Sequence, residues 1–208
     1  MSILGNIVAT LNPLESRPER PKVRSRAQSL AQPDDWLSMV LQHHIQIEVA
    51  FAAVEASLDS DIRRAAQKRL SVLLIGHASA EESVIYPALA QIGKETHAIT
   101  AYMEQATVKL QMSALETRPL MSQDYLDTLE HIRVAVLQHM YEEEGTWFIQ
   151  LKNKLSVEDQ AKLTDRYEDE HYRYVGYDLT AHSQGIPWGA AAYPTEALNS
   201  RPPRNMFR

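Results

Sequence analysis

Two stretches of sequence decide the fold of this chain: HASAEESVIYPAL at residues 77–89 and HMYEEEGTWF at residues 139–148. Each begins with a histidine that is followed four residues later by a glutamate, His77 with Glu81 and His139 with Glu143. Four residues return an α-helix nearly to the same face, so each pair directs an imidazole and a carboxylate to one point. Both pairs lie in apolar helical stripes, where an unpartnered ionisable group is costly to bury. The pattern therefore predicts a binding partner, such as a metal ion, inside a helical core.

The composition limits the classes of protein that the chain can belong to. It has 208 residues, of which 44% are hydrophobic, enough for one well-filled core. The formal net charge is −6, which argues against a nucleic-acid partner. There is no cysteine, so any metal must be held by nitrogen and oxygen ligands. We find no secretory signal and no apolar run of the ~20 residues that a membrane span needs, and therefore expect a cytoplasmic protein without a membrane partner.

The region around the two motifs, residues 34–155, has the periodicity of four long helices. Their predicted starts are, in chain order, Asp34 or Asp35, Asp59 or Ser60, Lys94, and Ser122. Pro87 should kink or end the second helix. Long helices joined by short loops predict an all-α, antiparallel up-down-up-down four-helix bundle.

Two arms flank this region. Residues 1–33 are predicted to form a short amphipathic helix over 1–12 and then a mobile linker that contains RPERPKVRSR. Residues 156–208 are predicted to form a fifth helix, opened by Ser156 and running to about Tyr174, and then an extended tail rich in proline. A second copy of the chain or a regulatory protein could bind through these arms.

One buried-face histidine from each of the four helices, with the carboxylate one turn onward in two of them, gives a candidate ligand set. It consists of His44, His77, Glu81, His97, His139 and Glu143. Imidazole and carboxylate together suit iron, manganese or zinc, and each carboxylate has two oxygens with which it can bridge a pair of ions. Because the chain reverses between the second and third helices, we expect an early residue such as His97 to lie level with His77.

The first helix offers two histidines. His43 and His44 differ by about 100° around the helix, and His44 continues the narrower apolar stripe, so we favour His44. Glu48, four residues after His44, is interpreted as an extra ligand, as a hydrogen-bond acceptor for a ligand, or as the partner of a surface base.

Other polar and aromatic residues are expected to have lesser roles. Glu144 is expected to face solvent or to orient an imidazole from outside. His171 and His182 lie beyond the four helices and are expected at the surface. Tyr86 and Trp147 are expected to be packing groups rather than redox relays, although a tyrosine near a metal centre can serve in either role.

These segments resemble the hemerythrin-like HHE cation-binding domains. HASAEESVIYPAL is similar to the second-helix signature of that family and HMYEEEGTWF to the fourth-helix signature. VLQHHIQIEVAF at residues 40–51 is similar to the first-helix segment, and ETHAI at residues 95–99 to the third. The resemblance covers about residues 34–155 and leaves out both arms.

The resemblance implies that the six candidate residues hold an oxo- or hydroxo-bridged pair of iron ions, with zinc and manganese as alternatives. Family members carry or sense oxygen, respond to nitric oxide or peroxide, or take part in iron homeostasis. The oxygen carriers have a second third-helix histidine, where this chain has Ala101, and an aspartate where it has Glu143. We therefore expect a protein that binds or senses oxygen, nitric oxide or redox state rather than a dedicated enzyme. The alternatives are a di-iron oxidase, a catalase-like peroxide scavenger and an iron-buffering stress protein.

Overall fold

The computed structural model describes residues 19–175, which form α-helices and two π-helical segments and contain no strand. The helices are α1 (Glu19–Leu30), α2 (Trp36–Ala56), α3 (Ser60–Ala80), α4 (Tyr86–Gln91), α5 (Glu95–Glu116), α6 (Gln123–Glu142), α7 (Phe148–Lys154) and α8 (Val157–Val175). The prediction of an all-helical protein is confirmed for these residues. The predicted helix over residues 1–12 and the extended tail lie outside them.

Side-chain caps explain where the long helices begin. The Asp35 carboxylate accepts a hydrogen bond from the Ser38 N–H at the start of α2, and Asp59 does the same for two N–H groups of α3. The Ser122 hydroxyl accepts from the Tyr125 N–H at the start of α6. Each cap satisfies N–H groups that have no partner within the helix. The predicted starts of these helices are therefore confirmed.

The two π-helical segments begin at the glutamates of the two His-x-x-x-Glu pairs. Glu81–Ile85 joins α3 to α4, and Glu143–Trp147 joins α6 to α7. The second predicted helix changes its hydrogen-bond pattern just before Pro87, where a kink or an end was expected. Pro87 lies in the first turn of α4, directly after the wider π turn. The missing proline N–H thus falls where the hydrogen-bond pattern changes.

The buried apolar residues form two clusters, one around Trp36 and Phe148 and the other around Phe51 and Tyr125. Along the chain, buried polar residues fall between the stretches that contribute to the two clusters. Those at such changeovers are, in chain order, His43 and His44, His77, Gln105, Glu143 and Glu144, and His171, and the buried Glu81 and His139 lie within four residues of one of them. A layer of buried polar groups therefore crosses the core between two apolar ends.

The prediction of a linker is wrong for Glu19–Leu30, which forms α1. This helix packs on α2, α6, α7 and the second π segment, and Ala27 is fully buried in that contact. A linker was predicted because this segment is rich in arginine and proline and shows little apolar periodicity. The helix forms nevertheless, because docking onto the core stabilises it. The fifth helix is confirmed as α8, which packs on α2, α3 and the first π segment. The domain boundaries at 33/34 and 155/156 stay a prediction.

Among the described helices, α2 is long and apolar enough to span a membrane by length and composition alone. Half of its apolar window is buried inside the fold, and it carries two buried histidines. Buried core helices of globular proteins often have this length and composition, so these two features do not distinguish a membrane span from the core helix seen here.

Candidate metal centre

Four of the six predicted residues form one buried group: His44, His77, Glu81 and Glu143. One ligand atom from each lies within 4.8 Å of the corresponding atoms of the others. His77 Nε2 lies 3.1 Å from Glu81 Oε2, and His44 Nε2 lies 3.4 Å from Glu143 Oε2. Since α2, α3 and the two π segments each contribute, tertiary packing assembles this group from parts far apart in sequence.

His139 lies beside this group. Its Nε2 atom is 3.2 Å from Glu143 Oε1, on the carboxylate oxygen that faces away from His44. Its Nδ1 atom is 2.8 Å from Glu104 Oε2. The structure thus gathers five of the six predicted residues, with Glu143 between His44 and His139.

The structure does not bring His97 to this group. The His97 ring is only partly buried and stacks on Trp147, with ring centroids 5.6 Å apart. Glu81 lies ten residues before the end of α4, and Gln105 lies ten residues after the start of α5. Gln105 is therefore level with Glu81, and its Nε2 donates to Glu81 Oε2 at 2.7 Å. The expectation that His97 lies level with His77 and Glu81 is therefore wrong. It placed the motif HASAEESVIYPAL closer to the loop between α4 and α5 than the structure does.

Tyr86 and Gln105 are site residues that sequence reasoning missed. The Tyr86 hydroxyl lies 3.1 Å from Glu81 Oε2, 3.0 Å from Glu143 Oε1 and 3.0 Å from His139 Nε2. It also accepts a hydrogen bond from Gln105 Nε2 at 2.5 Å. Tyr86 follows Glu81 by five residues, a spacing that a π turn, but not an α turn, brings toward the same face. Gln105 could have been identified from its position, because it lies as far after the loop between α4 and α5 as Glu81 lies before that loop.

Carboxylates outside the group orient two of the imidazoles. Glu144 Oε1 lies 2.7 Å from His44 Nδ1, and Glu104 Oε2 lies 2.8 Å from His139 Nδ1. A carboxylate on Nδ1 accepts its proton and leaves Nε2 free to face the centre. Of the two expectations for Glu144, the structure agrees with the orienting role, since Glu144 is buried. Glu48 pairs with Arg24, as expected for the partner of a base.

A second set of rings lies against His77. His43 Nδ1 is 2.9 Å from the Tyr167 hydroxyl, and the His43 ring stacks on His171 with centroids 3.7 Å apart and planes at 12°. His43 is outside the buried group that contains His44. The expectation of an exposed His171 is wrong because α8 folds back and buries this ring against α2 and α3. His182 lies outside the described residues.

Burial and close charges shift the pKa values of the group strongly. Burial opposes the charged form of His44, but the nearby carboxylates of Glu143, Glu144 and Glu81 raise its pKa well above the usual value. Burial and the neighbouring Glu143 raise the pKa of Glu81 to about 7. Protons in the centre thus compensate buried carboxylates, and a cation that binds there must compete with them.

The donor atoms fit a metal ion. Among residues 19–175, no partner with hydrogen-bonding geometry reaches four buried atoms: His44 Nε2, His77 Nε2, Glu81 Oε1 and Glu143 Oε2. Leaving several such atoms unsatisfied costs ~1–3 kcal/mol each, unless something binds them. Nitrogen and oxygen donors in this combination suit iron, manganese and zinc. Over residues 19–175, fold and site together define a helical protein with a buried group able to hold a cation.

Comparison with known families agrees. The model of the hemerythrin HHE cation-binding domain matches residues 37–151, more than half of the chain, and this protein therefore belongs to that family. Helices α1 and α8 lie outside the matched region.

A DNA nickase from Nostoc sp. (strain PCC 7120 / SAG 25.82 / UTEX 2576) is similar to this chain, with 24% identity over 130 residues. That alignment covers 62% of this chain and 37% of the relative, so the chain spans little more than a third of the relative's length. No solved structure gave a significant match.

Proposed function

We propose that this protein binds two iron ions and uses them to bind or sense dioxygen, nitric oxide or redox state. The observation that carries the proposal is the buried group of His44, His77, Glu81 and Glu143, whose inward-facing atoms have no other partner. In this proposal α2, α3 with α4, α5, and α6 with α7 form the antiparallel up-down-up-down bundle expected from the sequence.

The arrangement of the carboxylates supports two cation positions rather than one. Glu143 has one oxygen 3.4 Å from His44 and the other 3.2 Å from His139. Glu81 has one oxygen 3.9 Å from His44 and the other 3.1 Å from His77. Both carboxylates can therefore serve as bridges. The bound iron pair would supply redox chemistry and open coordination positions for a diatomic ligand or peroxide.

The protein's own residues set the surroundings of the second position. Tyr86 and Gln105 lie beside His139, where the sequence suggested a third-helix histidine. Their hydroxyl and amide groups are hydrogen-bond donors aimed at the carboxylates. Fewer imidazoles and more donors distinguish this centre from an oxygen carrier, which supports a sensing or redox role. His97 has no part in holding the ions in this proposal.

The similarity to a DNA nickase does not bring a nucleic-acid role to this chain. The alignment leaves out most of that protein. The net charge of −6 also works against binding a polyanion. We therefore propose a small diatomic molecule or peroxide as the partner of the centre.

Anaerobic loading with Fe²⁺ followed by metal analysis tests the proposal. We expect about two irons per chain, as in other di-iron bundles. His77→Ala and His139→Ala should each lower the bound iron, whereas His131→Ala, which alters an exposed histidine of α6, should not. Equal iron content in all three variants would refute the assignment.

Rapid mixing of the reduced, iron-loaded protein then separates the candidate roles. A stable and reversible optical change with dioxygen or nitric oxide supports binding or sensing. Many turnovers of peroxide would instead support the catalase-like alternative. Zinc in place of iron, with thermal collapse on chelation, would support a structural or buffering role.

A further inference from the structure

Helix α1 reaches the metal centre although it lies outside the matched family domain. Arg24, on α1, donates from Nε and Nη2 to both oxygens of Glu144, over 2.8–3.0 Å. The same Glu144 lies 2.7 Å from His44 Nδ1. A continuous chain of charge-assisted hydrogen bonds therefore runs from the N-terminal helix to a candidate ligand.

Helix α1 also packs closely against the backbone of Gly145 in the second π segment. A Cβ atom at Gly145 would lie 3.2 Å from Val23 Cγ1, so the missing side chain lets α1 approach the second π segment. Ala27, one turn after Val23, has no exposed surface. The segment that α1 covers is the one that supplies Glu143 and Glu144 to the centre.

The charges explain why an arginine is needed at this place. Glu144 is only 3% exposed, and an isolated carboxylate there would be costly. Arg24 Nη2 also contacts Glu48 Oε1 at 2.5 Å, so one guanidinium forms ion pairs with two carboxylates. The planar guanidinium of Arg24 donates from two nitrogens and so fixes the orientation of Glu144. The flexible ammonium group of a lysine would do this less well.

We propose that Arg24 is a positioning residue of the metal centre, so that docking of α1 sets the orientation of His44 through Glu144. The inference rests on the proposed metal-binding function. It makes metal affinity depend on an arm outside the four-helix core. Any partner or cleavage that releases α1 would then weaken metal binding.

Zinc titration of the full chain against a chromophoric chelator tests this inference. Arg24→Ala should weaken Zn²⁺ binding about ten- to a hundredfold, the usual effect of losing a residue that supports a ligand. Arg26→Ala, at an exposed arginine of the same helix, should bind zinc like the wild type.

A double-mutant cycle separates positioning from general destabilisation. If Arg24 acts through Glu144, Arg24→Ala should cause no further loss of zinc affinity in a Glu144→Ala background. An equal loss in both backgrounds, or wild-type affinity in Arg24→Ala, would overturn the inference. Should Arg24→Ala not fold, Arg24→Lys takes its place: a partial loss supports the fork geometry, and no loss overturns it.

Nitrogen-15 NMR of the imidazoles gives a readout that does not depend on metal. In the metal-free wild type, His44 should carry a proton on Nδ1 that exchanges slowly with water, and Arg24→Ala should speed up that exchange. Unchanged exchange would overturn the inference. A wild type that binds neither zinc nor iron yet shows this Arg24 effect would refute the proposed function and leave the positioning role in place.

Discussion

His171 should make the folded protein sensitive to acid. Its ring is 3% exposed and stacks on His43, so the folded state has little room for a charged imidazole at this position. Burial lowers the pKa of His171 from 6.5 to about 4. Between these two values the unfolded chain binds a proton that the folded chain does not.

The direction and size of the effect follow from this difference. The contribution of the neutral His171 to stability is fully present above pH 6.5 and is lost as the pH falls toward 4. With 1.36 kcal/mol for each unit of pKa, the loss at about pH 5 is ~2 kcal/mol. Protonation of His171 should therefore remove a substantial part of the free energy of unfolding of a marginally stable domain.

Urea denaturation of His171→Phe and of the wild type, at about pH 7.5 and about pH 5, measures this contribution. Phenylalanine keeps an aromatic ring against His43 but cannot take up a proton. A chelator in all samples removes any effect of metal release. We expect the wild type to lose ~2 kcal/mol more than His171→Phe on acidification. His131→Phe, at an exposed histidine, should behave like the wild type.

The same pH dependence in His171→Phe and the wild type would refute the reasoning. It would mean that the His171 ring is hydrated in solution, or that α8 does not pack as the structure shows.

Three further predictions concern the centre itself. His97→Ala should keep zinc affinity within about threefold of the wild type, whereas His77→Ala should lose at least about tenfold, because only the latter removes a group from the buried layer; equal losses would show that His97 is a ligand. Gln105→His should tighten Zn²⁺ binding by about tenfold, since it adds an imidazole level with Glu81, and unchanged affinity would contradict the level assigned to Gln105. Zinc at about a hundred times its dissociation constant should stabilise the fold by ~2.7 kcal/mol, which raises Tm by roughly 5–11 °C for a chain of this size, and no shift in differential scanning calorimetry would argue against a site in the core.

Much of the fold follows from local sequence. Asp35, Asp59 and Ser122 mark the starts of three helices because the short side chains that cap a helix act within one turn. The two His-x-x-x-Glu pairs share a face because a helix has a fixed period. The all-helical class and the pairing of each histidine with its glutamate were predictable for the same reason.

The sequence predicted that His44 lies beside these pairs, but not that Gln105 and Tyr86 rather than His97 meet them. Helical periodicity gives the direction in which a residue points from its own helix axis. It does not give the level at which that residue lies along a neighbouring helix. The height of α5 depends on the length of α4 and of its loop, which bring Gln105 rather than His97 to Glu81. The π turns added a second difference, because they move Tyr86 onto the face of Glu81.

The arms show the same division most clearly. By itself, the sequence determined the long helices of residues 34–155, the helix that follows them and the two pairs of donors, since these depend on contacts within a few residues. Tertiary structure alone decided that α1 and α8 close over the centre, with Arg24 reaching Glu144 and His171 stacking on His43. Those contacts join residues about 120 positions apart, and only the packing of the whole core brings them together.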